Sequence, residues 1–422
     1  MFALTPRTNL RLAMSNVLYL TQDGITDHIG QAQIAPYILG LAGMGHKIHI
    51  VSAEKSGRPE LNAKYRGLFD EAGIKWTTVP YGNKPPLVSS FVMIWRMYRK
   101  AAAVMETEGQ NIIHCRAYLP LELAVRLKRR FRAKLLVDFR DFWADVGIEK
   151  KPFKFVYRYL KRREPDYIGS GDHIVTLTER AADILMRWYP TAVEGRRENY
   201  TVIPCCADFT HFDRRDVSSE AVETHRKELD LGDSIVLLYL GSIAHDYLLP
   251  EMLQLFKALL GLRPDAKFLF VSNYGAKDVY REAAAAGVPA EALRFTTVDR
   301  AHVPEYLALA DLSVVFIRAT ESKAGCSPTK LAELFAMNIP VVANTGVGDL
   351  DSIVDYQRNG SVIVDSFEPA ALRAAIEKIL SLPARVRAEI RPNSMEFSLE
   401  EGVRRYASVY ARLDEPTFAE AA

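Results

Sequence analysis

The sequence predicts an α/β protein of two domains, each a parallel sheet with helices on both faces. Three observations predict it. Apolar strands alternate with helical segments along nearly the whole chain. That alternation restarts once, near the middle. The length, 422 residues, exceeds one ordinary domain and fits two of about 200. Short apolar runs separated by helical segments are the pattern of βαβ units, whose strands are buried on both faces.

The first unit is Asn16–Leu20, a polar glycine-containing loop from Thr21 to Gln31, a helical pattern from about Ala32 to Met44, and a second strand at His46–Ser52. Gly40, Gly43 and Gly45 lie at the helix end and read as C-cap glycines. Further strands are expected at Trp76–Pro80, Asn111–His114, Lys134–Asp138, His173–Leu177 and Thr201–Pro204. A charged stretch, Asp213 to Asp233, interrupts the pattern. Strands then resume at Ser234–Leu240, Lys267–Ser272, Leu293–Thr297, Leu312–Ile317, Ile339–Ala343 and Ser361–Val364. The domains are therefore expected at 1–212 and 213–395, with 396–422 carrying a last helix from about Leu399 to Leu413.

Hydrophobic residues make up 49% of the chain, ample for two cores, and the formal net charge is only +2. The distribution is uneven. Between Arg126 and Arg163 fourteen lysines and arginines face four acidic residues, so the rest of the chain is net acidic. Four cysteines, Cys115, Cys205, Cys206 and Cys326, lack a disulfide framework's spacing and read as reduced, buried and cytosolic. No run of eighteen apolar residues suggests a membrane span. The first fifteen residues hold Arg7 and Arg11 but no apolar core, so no signal peptide is expected.

The segment Cys326-Ser327-Pro328-Thr329-Lys330-Leu331-Ala332-Glu333 carries the most chemistry. Ser327 is a good N-cap and Pro328 a good first helical residue. The free N–H groups of such a first turn, from Thr329 on, suit phosphate, with the positive end of the helix dipole behind them. Lys330 adds a charge. Glu333, one turn on, is a carboxylate able to hold a pair of sugar hydroxyls, so the spacing suits a nucleoside diphosphate. An ordinary capped amphipathic helix accounts for the segment equally well.

Other strand ends offer further candidates. The loop Asp23-Gly24-Ile25-Thr26-Asp27-His28-Ile29-Gly30-Gln31 lets a ligand or backbone approach closely, but is not a dinucleotide fingerprint. Asp138-Phe139-Arg140-Asp141-Phe142-Trp143-Ala144-Asp145 reads as a sugar-acceptor platform or as a satisfied surface network. His114 and Arg116 end another strand; a lone strand-end histidine is more often structural. Asp349-Leu350-Asp351 has the form of a metal-binding Asp-x-Asp, but its place in a loop after Gly346-Val347-Gly348 marks it as chance. No Cys/His cluster has zinc spacing, and no metal is expected. From Lys150 to Arg163 basic residues interleave with Phe153, Phe155, Tyr157 and Tyr159. Such a face suits an anionic membrane, nucleic acid or plain solvent. The apolar and basic helix from Phe91 to Lys100 favours the membrane over nucleic acid.

Taken in order, the Gly-Gln loop near Gly30, Gly45-His46, Asp138-Phe139-Arg140, Val202-Ile203-Pro204 and Ser327–Glu333 resemble the family-4 glycosyltransferases over nearly the whole chain. The resemblance implies the GT-B fold of two facing Rossmann-like domains with a cleft between them, and a C-terminal helix crossing back to the first domain. It implies a nucleotide-diphosphate sugar donor as substrate, no cofactor, and hexosyl transfer with retention of configuration. The acceptor would be a lipid-linked glycan in envelope polysaccharide synthesis, with the enzyme cytoplasmic and peripheral on the inner membrane face. By the same resemblance Gly30, Gly241, Ser242, Arg318, Lys323, Ser327, Thr329, Lys330 and Glu333 would hold the donor. His114, Arg116, Asp138 and Arg140 would serve catalysis and the acceptor.

Two departures matter. The family's signature has two glutamates eight positions apart, the first touching the donor sugar, yet Gly325 stands there; Glu321 and Lys323 are nearby substitutes. Where the family often reads Gly-Arg with a following Lys, this chain has Gly241-Ser242, then His245, Asp246 and Tyr247. Cations for the diphosphate must then come from Lys330 and Arg318, with Lys323 behind them. These departures keep two alternatives open: a non-catalytic sugar-binding subunit of a glycan assembly complex, and a UDP-sugar 2-epimerase.

Overall fold

The computed structural model describes residues 14–82, 85, 87–190, 197–243, 246–273 and 275–415. Arg7, Arg11 and His245 lie outside them. The chain divides into two compact units. One runs to Leu177 and adds Ala182–Ile203 and the chain from Gly402; the other holds Thr178–Ala181 and Pro204–Glu401.

The N-terminal unit is built on β1 (Asn16–Thr21), β2 (Lys47–Glu54), β3 (Lys75–Pro80), β4 (Ile112–Arg116), β5 (Lys134–Phe139), β6 (His173–Thr176) and β7 (Tyr200–Val202), in the order β3-β2-β1-β4-β5-β6-β7. All neighbours are parallel. The C-terminal unit repeats the arrangement with β8 (Val236–Leu240), β9 (Lys267–Val271), β10 (Leu293–Thr296), β11 (Leu312–Val315), β12 (Val341–Asn344) and β13 (Val362–Val364), in the order β10-β9-β8-β11-β12-β13, again all parallel. Every expected strand is present, with ends within two residues of the sequence reading.

The strands were legible because they are buried on both faces. In β8 the side chains of Val236, Leu238 and Leu240 join one apolar cluster, while Leu237 and Tyr239 join the cluster on the opposite face. Such a strand reads as an unbroken apolar run. In each sheet the order reverses once, between β1 and β4 and between β8 and β11. Ligands of open parallel sheets bind outside the carboxyl ends of strands at such reversals.

Two local expectations change. The helix expected at 32–44 is two helices, His28–Gln33 and Ala35–Gly43, so part of the loop expected at 21–31 is helical. Pro36 explains the break: without an N–H it cannot donate back into the preceding turn, but it is well placed near the start of a new helix. Gly40 also lies within the second helix rather than capping it. A Cβ there would come within 2.6 Å of Val403 Cγ2, so the glycine lets the C-terminal helix, Leu399–Asp414, pack closely. From Gly402 onward that helix belongs to the N-terminal unit. No helix among the described residues is long and apolar enough to cross a membrane.

Candidate active site

In the C-terminal unit, chemistry gathers at the carboxyl ends of β8 and β11. Gly241 follows β8 with a φ of +101°, a conformation that favours glycine. Lys330 Nζ sits against it, about where a Cβ would be 3.4 Å away. The amine donates to Tyr239 Oη at 3.1 Å, and that hydroxyl donates to the Ser242 carbonyl at 2.7 Å. Nζ also lies over the rings of Tyr247, at 3.9 Å, and Tyr239, at 4.2 Å. Burial is the main cause of a Lys330 pKa lowered to about 7; Glu333 and Cys326 oppose it only partly. The residue expected to carry a fixed charge is therefore a buried amine on the edge of ionisation.

The loop after β8 lies against the chain after β11. Tyr247 bridges to Ile317, Arg318 N donates to the Asp246 carbonyl at 2.8 Å, and Lys323 pairs with the Asp246 carboxylate at 2.9 Å. Lys323 thus has a local counter-ion, whereas the Arg318 side chain is exposed beside it. Ser242 is exposed in the same loop.

Ser327 does not cap the helix. The helix spans Thr329–Ala336, its N-cap is Pro328 in an extended conformation, and no described side chain caps it. The Ser327 hydroxyl instead accepts the Cys205 N–H at 3.1 Å, which holds it away from the first turn. The first turn, with Thr329 half-buried at its head, therefore has no side-chain cap among the described residues. Gly325 is buried in the 3₁₀ turn Glu321–Gly325, and Glu321 is exposed at the start of that turn. Cys326 is half-buried, unlike the other three cysteines.

Glu333 is buried one turn after Lys330. Burial pushes its carboxyl above the usual carboxylate range, against the pull of Arg300, Lys330 and His211. Arg300 Nη1 donates to Glu333 Oε1 at 3.0 Å. Sequence reasoning missed Arg300, because no motif marks an arginine in a short turn before an amphipathic helix.

The two aspartates of Asp349-Leu350-Asp351 have structural work. Asp349 accepts the N–H groups of Glu179 and Arg180 at 2.7 and 3.1 Å, capping a helix start. Asp351 accepts Gly346 N–H at 3.0 Å and the Thr345 hydroxyl.

In the N-terminal unit, Asp138 at the end of β5 is the hub. Its Oδ2 accepts from Tyr406 Oη at 3.0 Å and lies 3.4 Å from both His114 Nε2 and Arg116 Nη1; Oδ1 lies 3.4 Å from Arg140 Nη1. Burial pushes this carboxyl up, but Arg140, His114 and Arg116 together outweigh it and hold it well below the usual range. Because a carboxylate only accepts, His114 Nε2 carries the proton, and Nδ1 accepts from Tyr410 Oη at 2.7 Å. Burial lowers the His114 pKa, against the upward pull of Asp138. Arg116 is buried, and its Nε has no partner among the described residues. The four residues expected to serve catalysis are thus together, but His114 and Asp138 are enclosed rather than lining an open surface. The partners Tyr406 and Tyr410 come from the C-terminal helix.

The expected acceptor platform divides. Phe139 and Phe142 enter the core, Asp145 pairs with Lys161 at 2.8 Å, and Asp141 remains exposed. A small pocket beside it is lined by Ala117, Tyr118, Asp138, Arg140 and Asp141. Ala117 has a φ of +70°, rare for a residue with a Cβ. Gly30 serves its own loop: a Cβ would stand 2.0 Å from the Gly24 carbonyl. Glu54, unsuspected from the sequence, ties that loop down by accepting Ile25 N–H at 2.7 Å and the Thr26 hydroxyl at 2.9 Å.

In the basic segment, Lys161 is neutralised by Asp145 and Glu164, and Arg163 by Asp166 and Glu122. Lys151, Lys154, Arg158 and Arg162 face outward, with Phe153, Phe155 and Tyr159 exposed between them. Phe91, Trp95 and Val88 form a second exposed apolar row on the helix Val88–Glu108.

Residues 37–211 match a family model described as Glycosyltransferase Family 4, and residues 234–382 one described as Glycosyl transferases group 1. No curated protein matches the chain significantly. Among solved structures, a glycosyltransferase from Rickettsia africae superposes with a TM-score of 0.72 at 16% identity, covering 96% of this chain and 100% of that one. Anabaena HepE, solved with UDP and glucose, gives 0.65 at 13% identity, with 93% and 98% covered. WaaG, a glycosyltransferase of lipopolysaccharide biosynthesis, gives 0.64 at 15%, with 93% and 99% covered. At such identities these likenesses speak for the fold, and the matched family models speak for the activity: the chain is a glycosyltransferase of the GT-B fold.

Proposed function

We propose that the protein transfers a hexose from a nucleoside-diphosphate sugar to a lipid-linked glycan with retention of configuration. The observation that carries the donor half is the pairing of a buried amine, Lys330, at the carboxyl end of β8 with a buried carboxylate, Glu333, one turn later. In this reading the uncapped helix start and Lys330 receive the diphosphate, with Arg318 as a second cation, and Glu333 accepts the ribose hydroxyls. The crystals of HepE with UDP and with UDP-glucose support the ligand class. As the sugar C1–phosphate oxygen bond breaks, the acceptor oxygen bonds to C1 on the same face, and its proton passes to the departing phosphate oxygen. Positive groups at the diphosphate lower that barrier by stabilising the charge that develops there.

A thermal-shift series with UDP, GDP and ADP tests the donor site. One of them at 100 times its dissociation constant should add about 2.7 kcal/mol of stability. Glu333→Gln should weaken that nucleotide and leave the fold intact, since charged acceptors bond about twice as strongly as neutral ones. A wild-type protein stabilised by none of the three would refute the donor assignment. Gly325, in place of the family's sugar-contacting glutamate, favours one second reading, a non-catalytic sugar-binding subunit; sugar transfer or donor hydrolysis by the purified protein would exclude it.

For the acceptor half, we place the inner membrane surface at the outward basic and aromatic residues of 150–163 and at Phe91 and Trp95. Lys151, Lys154, Arg158 and Arg162 each contribute about 1 kcal/mol near an anionic surface, screened by salt. Replacing these four with Glu should reduce co-sedimentation with anionic liposomes more than tenfold while transfer to a soluble acceptor persists. Equal pelleting with neutral and anionic liposomes would overturn this placement.

A further inference from the structure

We propose that Arg300 is a positioning residue of the donor site, aiming the Glu333 carboxylate at the nucleoside hydroxyls. The inference rests on the donor-site reading above and deepens it. Glu333 is buried on the helix Thr329–Ala336, whereas the Arg300 side chain is about two-fifths exposed, so the pair has one fixed and one accessible member. Arg300 is itself braced. Its guanidinium lies 5.5 Å from the ring centre of Phe212, a fully buried residue, and its carbonyl meets His211 Nε2 at 3.1 Å. Arg391 holds the Phe212 carbonyl at 2.6 Å from beneath. The brace therefore runs from Arg391 through Phe212 to Arg300, and only then to Glu333.

A buried carboxylate needs a compensating charge to stay ionised. The charged or titratable groups that act on Glu333 are Arg300 from the 3₁₀ turn Arg300–His302, Lys330 from its own helix, and His211 from the segment after β7. Lys330 is itself only marginally charged, and we assign it to the diphosphate. Arg300 is thus the group that keeps the carboxylate an acceptor. One carboxylate oxygen, Oε1, takes the Arg300 bond, so a nucleoside hydroxyl could use Oε2 without displacing it.

The test is calorimetric titration of wild type, Arg300→Ala and Arg300→Lys with whichever of UDP, GDP and ADP the wild type binds, at pH 6, 7 and 8. The expected result is a loss of about tenfold in affinity for Arg300→Ala at pH 8, roughly 1.4 kcal/mol. The loss should grow as the pH falls and Glu333 takes up a proton. Arg300→Lys should restore most of the affinity and flatten the added pH dependence. A merely structural arginine would change melting temperature without this pH signature. Wild-type affinity in Arg300→Ala across the range would overturn the inference. Tighter binding by Arg300→Ala would also overturn it, since Arg300 would then be a latch that the nucleotide must displace. Failure of the wild type to bind any of the three nucleotides would instead refute the donor site itself.

Discussion

Lys330→Met should weaken nucleoside diphosphate binding by about one to two orders of magnitude while leaving the C-terminal unit as stable as before, or more so. The loss follows from removing a charge-assisted bond, worth about 1.5–3 kcal/mol. The stability follows from the sign of the Lys330 shift. Burial lowers its pKa from 10.5 to about 7, so between these values the folded state binds fewer protons than the unfolded one. The group therefore costs stability at neutral pH, a cost that fades as pH rises toward 10.5. Met keeps the apolar stem against Tyr239 and Tyr247 and removes that cost. A bound diphosphate should favour the ammonium and draw in a proton. Titrations at pH 8 in buffers of different ionisation enthalpy should show uptake approaching one proton per nucleotide, falling toward none at pH 6. Lys330→Met should abolish the uptake. Buffer-independent heats at pH 8 in the wild type would contradict this account.

The second large effect is on the fold. Asp138→Ala should lower the unfolding free energy of the N-terminal unit by about 3–5 kcal/mol, the usual consequence of deleting one member of a buried ion pair. It takes the carboxylate from Arg116, which is buried, removes one partner of Arg140, and leaves Tyr406 Oη without its acceptor. Trp76, Trp95, Trp143 and Trp188 all lie in this unit, so tryptophan fluorescence during urea unfolding reports on it alone. The carboxyl is held below its unfolded value, so its contribution is complete above about pH 4 and is lost as pH falls further. The gap between wild type and variant should narrow accordingly at pH 3. A difference under about 1 kcal/mol at pH 7, the value of an exposed pair, would show that Asp138 is not the hub described.

The sheets were legible because parallel strands buried on both faces leave unbroken apolar runs, as β8 does. Lys330 and Glu333 were legible because their spacing follows from helix geometry, whatever surrounds them. What escaped was contact between residues distant in the sequence. Ser327 looks like a cap, and only the N–H of Cys205, 122 positions away, explains why it is not. Arg300 stands 33 residues from Glu333, and Glu54 29 residues from the loop it ties down. The charge of Lys330 was misjudged for a related reason: burial between two tyrosines, not residue type, sets its ionisation. His114, Arg116, Asp138 and Arg140 lie together at the ends of β4 and β5, yet their enclosure by Tyr406 and Tyr410 left no local trace.

That enclosure bears on the order in which the chain can be finished during synthesis. His114 meets Tyr410 across 296 positions and Asp138 meets Tyr406 across 268, with all of the second sheet between them. A polypeptide emerging from its amino end can complete the second sheet before it holds the last partners of the first. The domain that begins the chain is therefore the last to be sealed. Until that helix is made, the aspartate and histidine at the centre of the first sheet lack the hydroxyls of Tyr406 and Tyr410.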